Sequence, residues 1–173
     1  NERALNLLFS ILDMSSSEFE FYVQNHSYVS KNGSYSFFAV VFTMISYIYE
    51  DSNNLDSSLI YAKKALLYEK SFLKAYVHEQ LGDINYKLGK FEDSINTLTK
   101  VVNLKPDYAE AFNNLGISLK ETSRLNLSVE AFESAIKIQK NYAEAFSNLG
   151  IVFRLKRDFM ASSKALKIAL EIK

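Results

Sequence analysis

The sequence predicts an all-α array of helical hairpins, and three observations carry that prediction. A stretch of nine residues recurs at an offset of 34, apolar residues fall at helical spacing on both sides of short polar breaks, and one Pro and five Gly in 173 residues are too few for a chain of many tight β-turns. Tyr108-Ala-Glu-Ala-Phe-Asn-Asn-Leu-Gly116 returns as Tyr142-Ala-Glu-Ala-Phe-Ser-Asn-Leu-Gly150, identical at eight of nine positions. Duplication of one structural unit explains this. The frame holds one period earlier, from Lys74-Ala75 to Leu81-Gly82, and a looser copy begins at Ala39. The array therefore reads 39–74, 75–108, 109–142 and 143–173, the last unit being short.

Residues 1–38 do not fit the repeat. Glu2 to Met14 has the apolar stripe of a helix (Ala4, Leu5, Leu8, Ile11, Leu12), and a second short helix is expected from Glu18 to Gln24. Both are expected to cap the array, because Phe37 to Tyr49 is apolar nearly all round and its outer face needs a cover. That run of 13 residues falls short of the roughly 20 needed to cross a bilayer, so it reads as a buried helix. Each unit then reverses at a polar or glycine-bearing break: Asp51-Ser-Asn-Asn, Leu88-Gly-Lys, Glu121-Thr-Ser-Arg and Lys156-Arg-Asp. In the third unit Phe112, Leu115 and Leu119 keep helical spacing before the break, and Leu125, Val129, Phe132, Ala135 and Ile136 resume it afterwards. Asp107-x-x-Glu110 and Asn141-x-x-Glu144 are expected to cap the first helices of the last two units, and Pro106 to end the helix before them. Leu166, Leu170 and Ile172 keep the core pattern to the last residues, which is expected either where the parent protein continues or where that end packs on another copy of the chain or on a partner.

Small residues recur in phase. Gly82, Gly116 and Gly150, with Ser46 in the first unit, lie on the inner face of the first helix; Ser58, Ser94, Ser128 and Ser162 open the second. A glycine inside a helix costs about 1 kcal/mol against Ala. Its return at a fixed period implies a close approach of two backbones, with larger apolar side chains filling the space on either side.

These features resemble the tetratricopeptide repeat family. The resemblance is carried by the 34-residue period, the pairs Leu81-Gly82, Leu115-Gly116 and Leu149-Gly150, the small residue opening each second helix, and the pairs Leu98 with Val101, Phe132 with Ala135 and Leu166 with Ala169. It covers about residues 39–173. The Asn-Leu-Gly wording at Asn114 and Asn148 is similar to the superhelical arrays of O-linked N-acetylglucosamine transferases and bacterial relatives, whose catalytic part this sequence does not contain. The resemblance implies a right-handed α-solenoid of about four hairpins, with the first helices lining a concave groove that holds an extended peptide.

By helical phase, the residues expected to face that groove and bind are Tyr47, Tyr76, Glu79, Gln80, Asp83, Tyr86, Glu110, Asn113, Asn114, Ile117, Asn148, Ile151 and Arg154. Gln80, Asn114 and Asn148 form an amide ladder able to bond a peptide backbone, while Tyr47, Tyr76, Tyr86 and Ile117 supply apolar anchors. One subset of the family grips a chaperone's C-terminal carboxylate with Lys, Asn and Arg. Here the matching places hold Thr43, Tyr47, Gln80, Glu110 and Asn114, or one repeat later Glu79, Asp83, Asn114, Glu144 and Asn148. The acidic residues among them oppose a carboxylate and favour a ligand that is neutral or carries a basic residue.

Other functions find little support. Twenty Lys and Arg balance twenty Asp and Glu, so the positive field that draws nucleic acid or anionic lipid is missing, and neither nucleic-acid binding nor membrane insertion is expected. With no Cys, two widely separated His (His26 and His78) and no phosphate loop or metal spacing, the chain is not expected to be an enzyme or to take a cofactor or metal. His78 is expected to pack rather than to transfer protons. The expectation is a cytoplasmic, non-catalytic module for a protein or peptide partner, able to form a homodimer through its open last repeat. The alternatives are the recruiting arm of a larger transferase and a self-assembling structural element.

Overall fold

The computed structural model describes residues 37–68 and 74–172. The helices expected over Glu2–Met14 and Glu18–Gln24, and their capping role, lie outside those residues. Among the described residues there are eight helices and no strand: α1 (Phe37–Asp51), α2 (Leu55–Tyr68), α3 (Lys74–Lys87), α4 (Phe91–Leu104), α5 (Ala109–Glu121), α6 (Leu125–Ile138), α7 (Ala143–Leu155) and α8 (Phe159–Ile172). The chain divides into two compact units, residues 1–84 and 85–173.

In the first unit α1 packs along α2. Val41, Phe42 and Ile45 are buried from one side and Leu59, Ala62 and Ala65 from the other. Ser46 and Ser58 meet between the two helices. Each hydroxyl donates to the other residue's carbonyl, at 2.8 and 2.9 Å, and the two oxygens stand 3.0 Å apart. Tyr61 stacks on Tyr49 with ring centres 5.4 Å apart, and the Lys64 ammonium lies 5.0 Å from the Tyr61 centroid.

The second unit repeats that clasp with glycine in place of the first serine. The helices α5 and α6 form one hairpin and α7 and α8 the next, α4 packs on α5, and α6 packs on α7. A Cβ added to Gly116 would stand 2.7 Å from Cε1 of Phe132, and one on Gly150 would stand 2.7 Å from Cγ of Leu166. Such distances are inside van der Waals contact, so the fixed glycines answer to the large residue facing them. Ser128 and Ser162 then donate their hydroxyls to the Gly116 and Gly150 carbonyls, at 2.7 and 2.8 Å. The serines therefore tie the second helix to the backbone of the first, a role beyond the small size the sequence implied. Around Phe132 the core continues through Leu149, Val152 and Ala165, with Ile117, Leu125, Val129, Ile136 and Phe153 packed at its margin.

Among the described residues, all four hairpin turns close in the same way. Asn53, Gly89, Ser123 and Arg157 adopt positive φ, between 58° and 72°. The N–H of the next residue (Asn54, Lys90, Arg124, Asp158) reaches back to the carbonyl of Tyr49, Asn85, Leu119 and Phe153. This is the left-handed C-terminal cap that glycine best accommodates, yet only one of the four turns has glycine. An L-residue pays about 1–2 kcal/mol for that conformation. Ser123→Gly and Arg157→Gly should therefore each raise stability by up to about 1 kcal/mol once the added freedom of the unfolded chain is deducted. Urea melts that showed both variants less stable than the parent would contradict this.

The helix starts depart from expectation. The first residues of α5 and α7 are Ala109 and Ala143, so Tyr108 and Tyr142 hold the cap positions, and neither start has a side-chain cap bond. Asp107 and Asn141 stand one residue too early. The caps that do form belong to second helices: Asn54 Oδ1 accepts from the Ser57 N–H at 3.2 Å, and Asp158 Oδ1 from the Ala161 N–H at 3.0 Å. The helix before Pro106 ends at Leu104, as expected. On α8, Phe159, Met160 and Leu170 are exposed, Met160 most of all at 87%.

Candidate functional site

The expected binding residues sit on α1, α3, α5 and α7, and they fall in both units. In the second unit the key residue is Asn113. It is 1% exposed, and so belongs to the interior rather than to an open surface. Its Nδ2 donates to Glu144 Oε1 at 3.1 Å, and its Oδ1 accepts from Asn148 Nδ2 at 3.1 Å. Asn113 thus links α5 to α7 through two side chains of the following first helix. Asn148 spends one N–H on that link; its carbonyl oxygen and second N–H take no part in it.

Further members of the expected set sit on the same two helices, α5 and α7. Asn114, Ile117 and Ile151 are half-buried, and Glu110, Glu144 and Arg154 are exposed. Residues 34 apart occupy equivalent places, so Ile117 and Ile151 form one column and Glu110 and Glu144 another. Tyr86 packs against Phe91 across the turn after α3, with ring centres 5.5 Å apart. It serves the turn as well as any anchoring role.

In the first unit Tyr47 is half-exposed, Tyr76 is 37% exposed, and Glu79 and Asp83 are half-buried. Burial, then the carboxylates of Glu79, Glu50 and Asp83, push the Tyr47 phenol above its ordinary pKa. The position of Gln80 differs from the ladder member expected. It is 3% exposed, and neither Nε2 nor Oε1 has a hydrogen-bond partner. His78 is buried, in keeping with a packing role. Among the described residues no group of three or more His, Asp or Glu side chains is placed to hold a metal, and no helix is long and apolar enough to cross a membrane.

One feature was not anticipated from the sequence. A cleft of about 340 Å³ opens between α4 and α6 over a floor of Phe112, Leu115 and Leu119, with Ser134 on its wall. The ion pair of Arg124 with Glu92, at 2.7 Å, lies at its edge. One period later the places of Leu119 and Ser134 are held by Phe153 and Ile168. Comparing those two positions across the repeats is the signal that would have revealed it.

A family model described as a TPR repeat matches residues 82–123, and one described as a tetratricopeptide repeat matches residues 39–72 and 109–142. Together they cover more than half of the chain. No curated protein sequence matches it. Among solved structures, YrrB, described as a TPR protein with an unusual peptide-binding site, aligns with a TM-score of 0.77 at 18% identity, over 99% of this chain and 80% of its own. A crystal structure of MamA aligns with a TM-score of 0.72 at 22% identity, over 78% of this chain and 77% of its own. MamA residues 41-end from Desulfovibrio magneticus RS-1 align with a TM-score of 0.74 at 16% identity, over 99% of this chain and 93% of their own. At these identities the likeness is one of fold. The recurring glycine clasp, the hairpin helices and the matched repeats agree, and the chain belongs to the tetratricopeptide repeat family, with that family's all-α solenoid fold.

Proposed function

We propose that this protein is a non-catalytic interaction module whose first-helix faces hold an extended segment of a partner, built from repeats at 39–74, 75–108, 109–142 and 143–173. The observation that carries this reading is the Asn113–Asn148–Glu144 link, which fixes the amide of one first helix against the next. Packed helices lie about 8–10 Å apart, and an extended chain advances about 3.3 Å per residue. One repeat therefore matches about three residues of a bound segment, and amides at Asn114 and Asn148 recur at the spacing of its backbone groups. Amides held in place lose less freedom on binding than mobile ones. Each hydrogen bond contributes only about 0.5–1.5 kcal/mol net, so affinity also needs the apolar column of Ile117 and Ile151. The description of YrrB as carrying a peptide-binding site supports the same reading.

The test is selection of phage-displayed unstructured peptides on the chain, followed by affinity measurement on variants. Asn148→Ala and Asn114→Ala should each weaken the selected peptides about fivefold to tenfold, the equivalent of about 1 kcal/mol. Lys137→Ala, on the exposed side of α6, should leave them unchanged. Selected peptides that bound both asparagine variants as tightly as the parent would remove these faces from the account.

A further inference from the structure

The cleft between α4 and α6 lies on the far side of α5 from Asn114 and Ile117. Its floor residues Leu115 and Leu119 are each two residues from Ile117, about 160° round the helix. With Phe112 and the half-exposed Leu127 they make its lining mainly apolar, and at about 340 Å³ it has the room of a small ligand site. An α-helix is about 10 Å across, so a single side chain enters such a space and a whole helix does not. The next repeat shows what fits there. Phe153 stands in the place of Leu119, and Ile168 in the place of Ser134. Phe153 packs at the margin of the cluster that contains Leu149 and Ala165, the counterparts of the cleft residues Leu115 and Ala131. One repeat thus closes the space with an aromatic ring of its own, and its neighbour leaves it open.

The polar groups of the cleft specify the guest further. The hydroxyls of Thr99 and Ser134 both donate within their own helices, to the carbonyls of Ile95 and Glu130, at 2.7 and 2.8 Å. Their oxygens keep lone pairs but no free proton, so towards the cleft they can only accept. Arg124 at the edge is spent on Glu92, at 2.7 Å. The Glu130 carboxylate, which also lines the cleft and is exposed, has no ion pair or hydrogen bond. An aromatic body, a donor that does not accept and a positive charge beside it complement this arrangement. Indole is the aromatic side chain whose one polar atom only donates.

We propose that this cleft receives a tryptophan side chain of a partner protein, one that stands next to a lysine or arginine in the partner's sequence. The ring lies on Phe112, Leu115 and Leu119, its N–H donates to the oxygen of Thr99 or Ser134, and the basic group meets Glu130. This is a second binding face, on the side of the second helices, and it does not depend on a segment held by Asn114 and Asn148.

The experiment titrates the full chain with nine-residue peptides of Gly and Ser carrying Trp-Lys, Phe-Lys, Trp-Glu or Ala-Lys at the centre. The 173 residues contain no Trp, so indole fluorescence reports the peptide alone, while NMR of the labelled chain locates it. The Trp-Lys peptide should shift the backbone amides around Thr99, Leu127 and Ser134. Phe-Lys should bind about fivefold more weakly for want of the hydrogen bond, Trp-Glu at least as much more weakly, and Ala-Lys weakest of the four. The double variant L119F/S134I carries the residues of the next repeat and fills the cleft. It should bind Trp-Lys at least about tenfold more weakly with no loss of Tm. Glu130→Gln, an exposed change that leaves the packing alone, should cut the preference for Trp-Lys over Trp-Glu. No shift in that region with Trp-Lys at about 10 mM, equal binding of Trp-Lys and Phe-Lys, or undiminished binding by L119F/S134I overturns the proposal. So does tryptamine bound more tightly than the peptide, which would make the guest a small molecule, or a dimer of the chain that L119F/S134I abolishes, which would make it a second copy. Asn114→Ala and Asn148→Ala should leave the Trp-Lys affinity unchanged, so the two faces fail or stand separately.

Discussion

Phe132→Ala is expected to destabilise the protein by about 3–5 kcal/mol, the range for removing a fully buried aromatic ring. The ring is 0% exposed and its edge faces Gly116, which has no side chain to relax into the space. On its other flank it meets Leu149, Val152 and Ala165 of the next hairpin, so the loss falls on the hairpin and on the stacking interface together. A urea titration followed by circular dichroism measures it. A loss under about 1.5 kcal/mol, the cost of a mere methylene or two, would mean that the ring is not the keystone of this interface.

Gly116→Val tests the same contact from the opposite side. Its Cβ would enter at 2.7 Å from Cε1 and 2.9 Å from Cδ1 and Cζ of a ring with nowhere to withdraw. Overpacking of this kind costs about 1–3 kcal/mol, and the gain in helix propensity over glycine is below about 1 kcal/mol. The expected net loss is about 2 kcal/mol. Gly150→Val provides the comparison, since the side chain it meets, Leu166, is 37% exposed and can swing aside, which leaves the Ser162 carbonyl oxygen at 3.3 Å as the tighter constraint. That variant should lose under about 1 kcal/mol. Combining Gly116→Val with Phe132→Ala should cost less than the sum of the two, because the valine occupies space the ring vacates. Equal losses at Gly116 and Gly150, or strict additivity with Phe132→Ala, would refute the steric account of the recurring glycine.

How much of this was legible beforehand depended on what each feature needed. Helical hairpins, their turns and the glycine positions leave a signature over a whole period, so errors of a residue do not matter. A cap does depend on a single residue. Asp107 and Asn141 have suitable chemistry, but with Ala109 and Ala143 as first helical residues they miss the position by one. Adjacent asparagines posed the same problem of phase: Asn113 and Asn114 differ by about 100° around the helix, enough to bury the first and leave the second half-open. Serine size was readable from its period, but the bond of Ser128 to the Gly116 carbonyl follows only once the turn brings residues twelve apart together. Gln80 was read as one more rung of the ladder. Its unsatisfied amide is a matter of side-chain placement, which the period of the sequence does not carry.

The serine clasp also bears on how the chain acquires its structure. Each clasp joins residues only twelve apart, Ser46 with Ser58, Ser128 with Gly116 and Ser162 with Gly150. Loops of about ten residues close in about 10–100 ns, so each hairpin can zip from its own turn without waiting for distant segments. Local closure of this kind leaves the stacking of one hairpin on the next as the longer-range step, so structure can start at any repeat and propagate to its neighbours.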